Sequence, residues 1–129
     1  MSKSNMDLGV LGVLPVRASA LNSARAVSEW LRLAGTAERS RMVAQMSKEQ
    51  IVHLVSLLDE RTGPELLGSL DAHAAAQVVR AAGVEQCGRF FEALDYDTAA
   101  DIVRQLGSVR REALLQTLSP EYVEALEAV

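Results

Sequence analysis

A single cysteine, Cys87, has no partner within the chain for a disulfide, which excludes a small disulfide-braced fold and suits a reducing compartment. Aromatic residues are almost as scarce, 4% of the chain against 49% apolar residues overall. The core must therefore be filled by Leu, Val and Ala, which favours packed helices over sheets. No apolar run approaches the roughly 20 residues needed to span a bilayer. The longest, Leu8 to Val16, is broken by Gly9, Gly12 and Pro15. The start lacks a basic stretch followed by an apolar stretch and a cleavage site, so a secretory signal is not expected. Also missing are a glycine-rich phosphate loop, HExxH, a CxxC pair and a nucleophile elbow, and neither His53 nor His73 has a partner at metal-ligand spacing. No nucleophile can be named, and an enzyme is not expected.

Positive charge is lacking in one half of the chain. Residues 1–61 hold eight Lys or Arg against six Asp or Glu, whereas residues 62–129 hold five against eleven. Nucleic acid is excluded as a partner of the second half, because affinity for phosphate backbones rests on clustered positive charge. A cation or a basic surface fits it better.

What the chain does have is a period. Phe90–Gly107, FFEALDYDTAADIVRQLG, lies over Leu66–Gly83, LLGSLDAHAAAQVVRAAG, without a gap at an offset of 24 residues. The same offset reaches Met42 and Leu114, and a weaker copy begins near Ala18. One column holds Ser23, Ser47, Asp71, Asp95 and Ser119, all side chains that accept a hydrogen bond from the first turn of a helix. A period of this size marks a solenoid whose units cannot bury their apolar faces alone. The expected fold is all-α, a stack of short helix-turn-helix repeats over residues 18–129, preceded by a tail or arm at residues 1–17.

Within each copy a helix of about two turns leads to the cap, and one of about three turns follows it, ending at a glycine suited to a left-handed C-cap. The first helix is expected over Ala18–Leu33, with Trp30 in the core column of Leu54, Val78 and Ile102. Thr36 caps Ala37–Gln45. Ser47, with Gln50 at capping-box spacing, caps Lys48–Leu58. Thr62, with Pro64 in the first turn, opens a helix through Ser69, and Asp71 caps Ala72–Ala82 before Gly83. Val84–Leu94 follows, then Asp95 caps Tyr96–Leu106, Ser108 opens Val109–Thr117, and Ser119 with Pro120 starts the last helix. That helix reaches Val129 with no stop signal, so the natural polypeptide is expected to continue. Ala75, Ala76, Ala99 and Ala100 read as packing devices that let neighbouring helices approach closely. His53 and His73 fall in solvent-facing columns, and Cys87 reads as a structural thiol.

One constellation stands out chemically. Asp97 and Asp101 are four residues apart on a helix, so their carboxylates share a face one turn apart, and Glu92 lies just before the turn. Like charges at that spacing repel, and a divalent cation would relieve them. Magnesium in particular is held by one or two carboxylates while keeping several waters. Solubility of a charged face is the plainer reading of the same spacing. The corresponding pairs in other copies are Glu49 and His53, His73 and Gln77, and Glu121 and Ala125, so the doubled carboxylate belongs to one copy alone.

At these residues LDYDTAADIVRQL resembles the repeated acidic motif, roughly L/M-D-P-D-D-A-A-D-L-L, of the intracellular N-terminal domain of MgtE-family magnesium transporters. The resemblance covers about Val27–Val129 and is most specific over Phe90–Leu106. It implies a right-handed superhelix in the cytoplasm, followed by paired CBS domains and a membrane domain that conducts Mg²⁺ as a homodimer, placing the full-length protein in the cell membrane. It also implies a regulatory role, with Mg²⁺ bridging this domain to acidic CBS surfaces and favouring the closed transporter. The metal-facing aspartates fall on Asp97 and Asp101, with Asp95 as the cap; the ion would be held weakly and shared with the adjoining domain. Tyr96 stands where the motif has proline and Thr98 where it has an acid, which lowers the local charge. The alternative is a helical interaction scaffold with no ion role, of the kind found in flagellar motor-switch and adaptor proteins.

Overall fold

Every cap in the 24-residue column starts a helix. The computed structural model describes residues 16–129, and α1 (Ala24–Leu33), α3 (Lys48–Ser56), α5 (Ala72–Ala82), α7 (Tyr96–Gln105) and α9 (Pro120–Glu127) follow Ser23, Ser47, Asp71, Asp95 and Ser119 in turn. Between them lie α2 (Thr36–Gln45), α4 (Thr62–Ser69), α6 (Val84–Phe91) and α8 (Ser108–Leu115), and no strand occurs among the described residues. Of the expected tail, residues 1–15 lie outside the described residues; Val16 and Arg17 lead into a 3-10 turn at Ala18–Ala20.

The copies stack in two rows. The trailing row consists of α3, α5, α7 and α9, each packed on the next, and the leading row of α2, α4, α6 and α8, likewise packed in sequence. Helices α2 and α6 also pack against α5, which joins the rows. One core runs along the stack and includes Val43, Leu54, Leu66, Val78, Phe90, Phe91, Ile102 and Leu114. Trp30 is buried in its expected column, only 3% exposed. Ala75 and Ala99, both 0% exposed, sit where a larger side chain would push the packed helices apart.

Several local expectations need correction. The first helix starts at Ala24 rather than Ala18, because Ser23 is fully extended (φ −153°, ψ 159°) and its Oγ accepts from Ala26 N at 3.1 Å. Thr36 is already helical and Gly35 is the cap. The start of α4 is organised by Asp59, not Thr62: Asp59 Oδ1 accepts from Thr62 N at 2.8 Å and Thr62 Oγ1 donates to it at 2.9 Å, while Asp59 N donates back to Thr62 Oγ1 at 2.9 Å. These bonds hold the Asp59 carboxyl below its ordinary range, with the Thr62 backbone bond the largest cause. The glycine stops also differ in kind. Gly83 alone has positive φ (100°), in an extended region closed to other residues, whereas Gly35 (φ −87°) and Gly107 (φ −68°) are ordinary extended residues. Gly35, Asp59, Gly83 and Gly107 form a second column at the 24-residue offset just ahead of the leading helices, and of the four only Gly83 also ends the helix before it, as its C-cap. Nor do the helices alternate strictly short and long, since α2 has ten residues and α3 nine.

Close approach within the leading row depends on Gly63. A Cβ there would fall inside the Phe90 ring, so only a glycine on α4 lets α6 seat its aromatic side chain.

Candidate functional site

Helix α7 carries the acidic pair because its other face is committed to the core. Ala99, Ala100, Ile102 and Val103 are buried, which turns Asp97 and Asp101 outward, and both are exposed. The expected cap does not close: Asp95 holds the N-cap position with φ −59° and ψ 147°, but its side chain accepts no hydrogen bond, whereas Asp71 at the same place in the preceding copy accepts from Ala74 N at 2.7 Å. Asp95 thus joins Asp97 as a solvent-facing carboxylate instead of being consumed by the helix.

The remaining acids are engaged. Asp101 accepts from Arg104 Nη1 at 2.6 Å, an exposed pair one turn apart on α7. Glu92 reaches the next copy: Ser119 N donates to its Oε2 at 2.6 Å and Ser119 Oγ to its Oε1 at 3.3 Å. It closes the cap of α9 together with Ser119 Oγ, which accepts from Tyr122 N at 3.3 Å. The junction is completed by Tyr96 and Tyr122, ring centroids 5.1 Å apart, and by the Tyr122 hydroxyl, which donates to Leu94 O at 3.0 Å. That hydroxyl is pushed up to about 12, first by burial and then by Tyr96, Glu92 and Asp95 nearby.

Among the described residues, no group of three or more His, Cys, Asp or Glu is placed to hold a metal. A cation here would be held by Asp97 with help from Asp95 or Asp101, through water, and would need ligands from another surface. Neutralising Asp101 through Arg104 weakens that pull further.

The other residues singled out from sequence take ordinary places. His53 and His73 are exposed. Cys87 is fully buried and burial pushes its thiol up to about 12, so it is inert toward electrophiles at neutral pH. Among the described residues no helix is long and apolar enough to cross a membrane.

Sequence reasoning missed a polar node at the other end of the stack. Arg39, 9% exposed, donates from Nε to Ala34 O at 3.0 Å, from Nη1 to Ser69 Oγ at 2.7 Å, and from Nη2 to the Leu31 carbonyl, with Glu65 Oε2 3.7 Å away. Beside it Ser40 Oγ accepts from Asp71 N at 3.0 Å, and Gln77 Nε2 donates to Val43 O at 3.1 Å. The 24-residue column gave no signal for it, since the position of Arg39 is held by Gly63, Cys87 and the exposed Arg111 in the later copies.

A family model described as the MgtE intracellular N domain matches residues 34–129. No curated protein and no solved structure matches the chain significantly.

Proposed function

The chain belongs to the MgtE intracellular N domain family, and from that premise we propose that it is the cytoplasmic regulatory domain of a magnesium transporter. In this reading Mg²⁺ is sensed at Asp97 and Asp101 on α7, and the ion is shared with adjoining CBS domains that precede a membrane domain, the whole acting as a homodimer in the cell membrane. The observation that carries the reading is the outward acidic face of α7, where Asp95 and Asp97 accept no hydrogen bond and form no ion pair among the described residues. Regulation then works by population shift: the closed arrangement wins because it binds the bridging ions better than the open one. A difference of about 1.4 kcal/mol moves that balance tenfold.

The small number of free carboxylates explains why the ion has to be shared. Two carboxylates at the solvent surface compete poorly with the hydration shell of Mg²⁺, which that ion sheds reluctantly. A facing acidic surface supplies the missing negative charge, and the cation then removes the repulsion that otherwise holds the two surfaces apart.

The test is a Mg²⁺ titration followed by backbone amide shifts, with this chain alone and joined to the domain that follows it in the natural polypeptide. Shifts centred on Tyr96–Gln105 are expected, larger in the joined form, and reduced by Asp97→Asn with Asp101→Asn. Absence of shifts there in both forms, or shifts of equal size in the double variant, would overturn the reading and leave the ion-indifferent interaction scaffold in its place.

A further inference from the structure

The last copy carries charge where earlier copies keep small or apolar residues out of water. On the leading helices, Gly63 and Cys87 are followed in their column by Arg111, and Gly88 is followed in its own by Glu112. These columns point at the next copy. A Cβ on Gly63 would enter the Phe90 ring of α6, and one on Gly88 would meet the Thr117 side chain just past α8. Gly63, Cys87 and Gly88 are buried, whereas Arg111 and Glu112 are exposed. On the trailing helices the column of Val55, Val79 and Val103, 2%, 0% and 7% exposed, ends at an exposed Glu127. An arginine in this register can be buried, as Arg39 shows, but Arg39 gives its donors to the Leu31 and Ala34 carbonyls and to Ser69. Arg111, Glu112 and Glu127 enter no ion pair among the described residues.

We propose that Arg111, Glu112 and Glu127 give the stack a charged end face, which keeps a second copy of this chain from packing on α8 and α9 as these pack on α6 and α7. A helix pair seated there would have to take all three charges out of water with no partner for any of them. An unpaired buried charge costs more than the apolar contact around it returns. Stacked repeats need such a polar outer face on their terminal unit, since each unit otherwise offers its neighbour-binding surface to any similar unit in solution. The two ends of a stack also differ, so chains joined end to end make a heterologous contact that grows into a filament unless its rotation closes a ring. The three side chains therefore limit assembly. A surface that does cover this end has to bring charges of both signs, acidic opposite Arg111 and basic opposite Glu112 and Glu127. This inference stands apart from the Mg²⁺ reading, and either can fail without the other.

The experiment returns the three positions to the character of the earlier copies, with Arg111→Ala, Glu112→Ala and Glu127→Val in the full chain, and follows weight-average mass against concentration by sedimentation equilibrium. A reference variant, Arg41→Ala, Glu85→Ala and Glu121→Val, removes the same charges from exposed positions whose columns hold no buried residue among the described residues. The end-face variant is expected to rise to about twice the mass of the original chain or more as concentration increases, since association begins with pairs. The reference variant should follow the original chain. Cys87 is buried, so its silence toward a maleimide shows that the associating chains are folded. Should the triple variant unfold and expose Cys87, Glu127→Val alone decides by the same measurement, with a smaller rise expected. Equal masses for the folded end-face variant and the original chain, a rise shared by the reference variant, or a Glu127→Val chain that stays at the original mass when it is the deciding one would each overturn the proposal.

Discussion

The two ends of the stack join their copies with charges of opposite sign. Near the N-terminal end Arg39 is buried and donates to the carbonyls of Leu31 and Ala34 at the close of α1. Near the C-terminal end Glu92 stays exposed and accepts from Ser119 N at the opening of α9. Each charge sits where a helix end needs it, a cation on the carbonyls of a C-terminus and a carboxylate on the N–H groups of an N-terminus. The imbalance of charge along the sequence is therefore partly structural. It follows that the acids of the C-terminal half are not all available to a cation, because Glu92 is committed to the stack.

The sharpest way to break the comparison is to remove the buried member. Arg39→Met leaves the Leu31 and Ala34 carbonyls and the Ser69 hydroxyl without their donor and should cost about 3 kcal/mol, read from the urea midpoint. In the next copy the same column holds Gly63, where space replaces charge. Gly63→Ala drives a methyl into the Phe90 ring and should cost about 2 kcal/mol by overpacking in the same measurement.

One copy further the column holds Cys87, and here pH is the probe. Because the folded thiol is pushed up to about 12 from 9.0, only the unfolded chain ionises it between those values. Its contribution is complete below pH 9 and is lost as pH rises toward 12, about 1.5 kcal/mol of it by pH 10. Cys87→Ala should flatten the fall of the melting temperature between pH 8 and 10. The exposed member of the comparison should matter least: Glu92→Ala removes one side chain from the α9 cap and is expected to cost about 1 kcal/mol. An equal loss for Arg39→Met and Glu92→Ala would erase the distinction between a buried and an exposed junction.

Much of the fold was legible because one physical requirement recurs at fixed spacing. A helix start needs an acceptor for its free N–H groups, and Ser23, Ser47, Asp71 and Ser119 supply it as expected. Asp95 keeps the position but not the bond, which a residue type alone cannot reveal. Gly35 and Gly107 misled for a related reason: glycine tolerates a left-handed stop and an extended N-cap equally, so its presence does not choose between them. At the candidate site the outward face of α7 followed from Ala99, Ala100, Ile102 and Val103. The engagement of Asp101 by Arg104 was within reach of helical spacing, whereas that of Glu92 by Ser119 spans 27 residues and depended on how two copies meet.

The sequence by itself determined that this protein is a series of helix pairs, because cap residues and apolar spacing act within a turn or two of chain and repeat every 24 residues. It also determined which face of α7 is acidic. Only the tertiary structure decided that α1 leaves the trailing row, that Arg39 is buried among carbonyls, and which carboxylates are already spoken for. Those outcomes depend on the geometry with which one copy approaches the next, and that geometry brings together groups that no local pattern pairs.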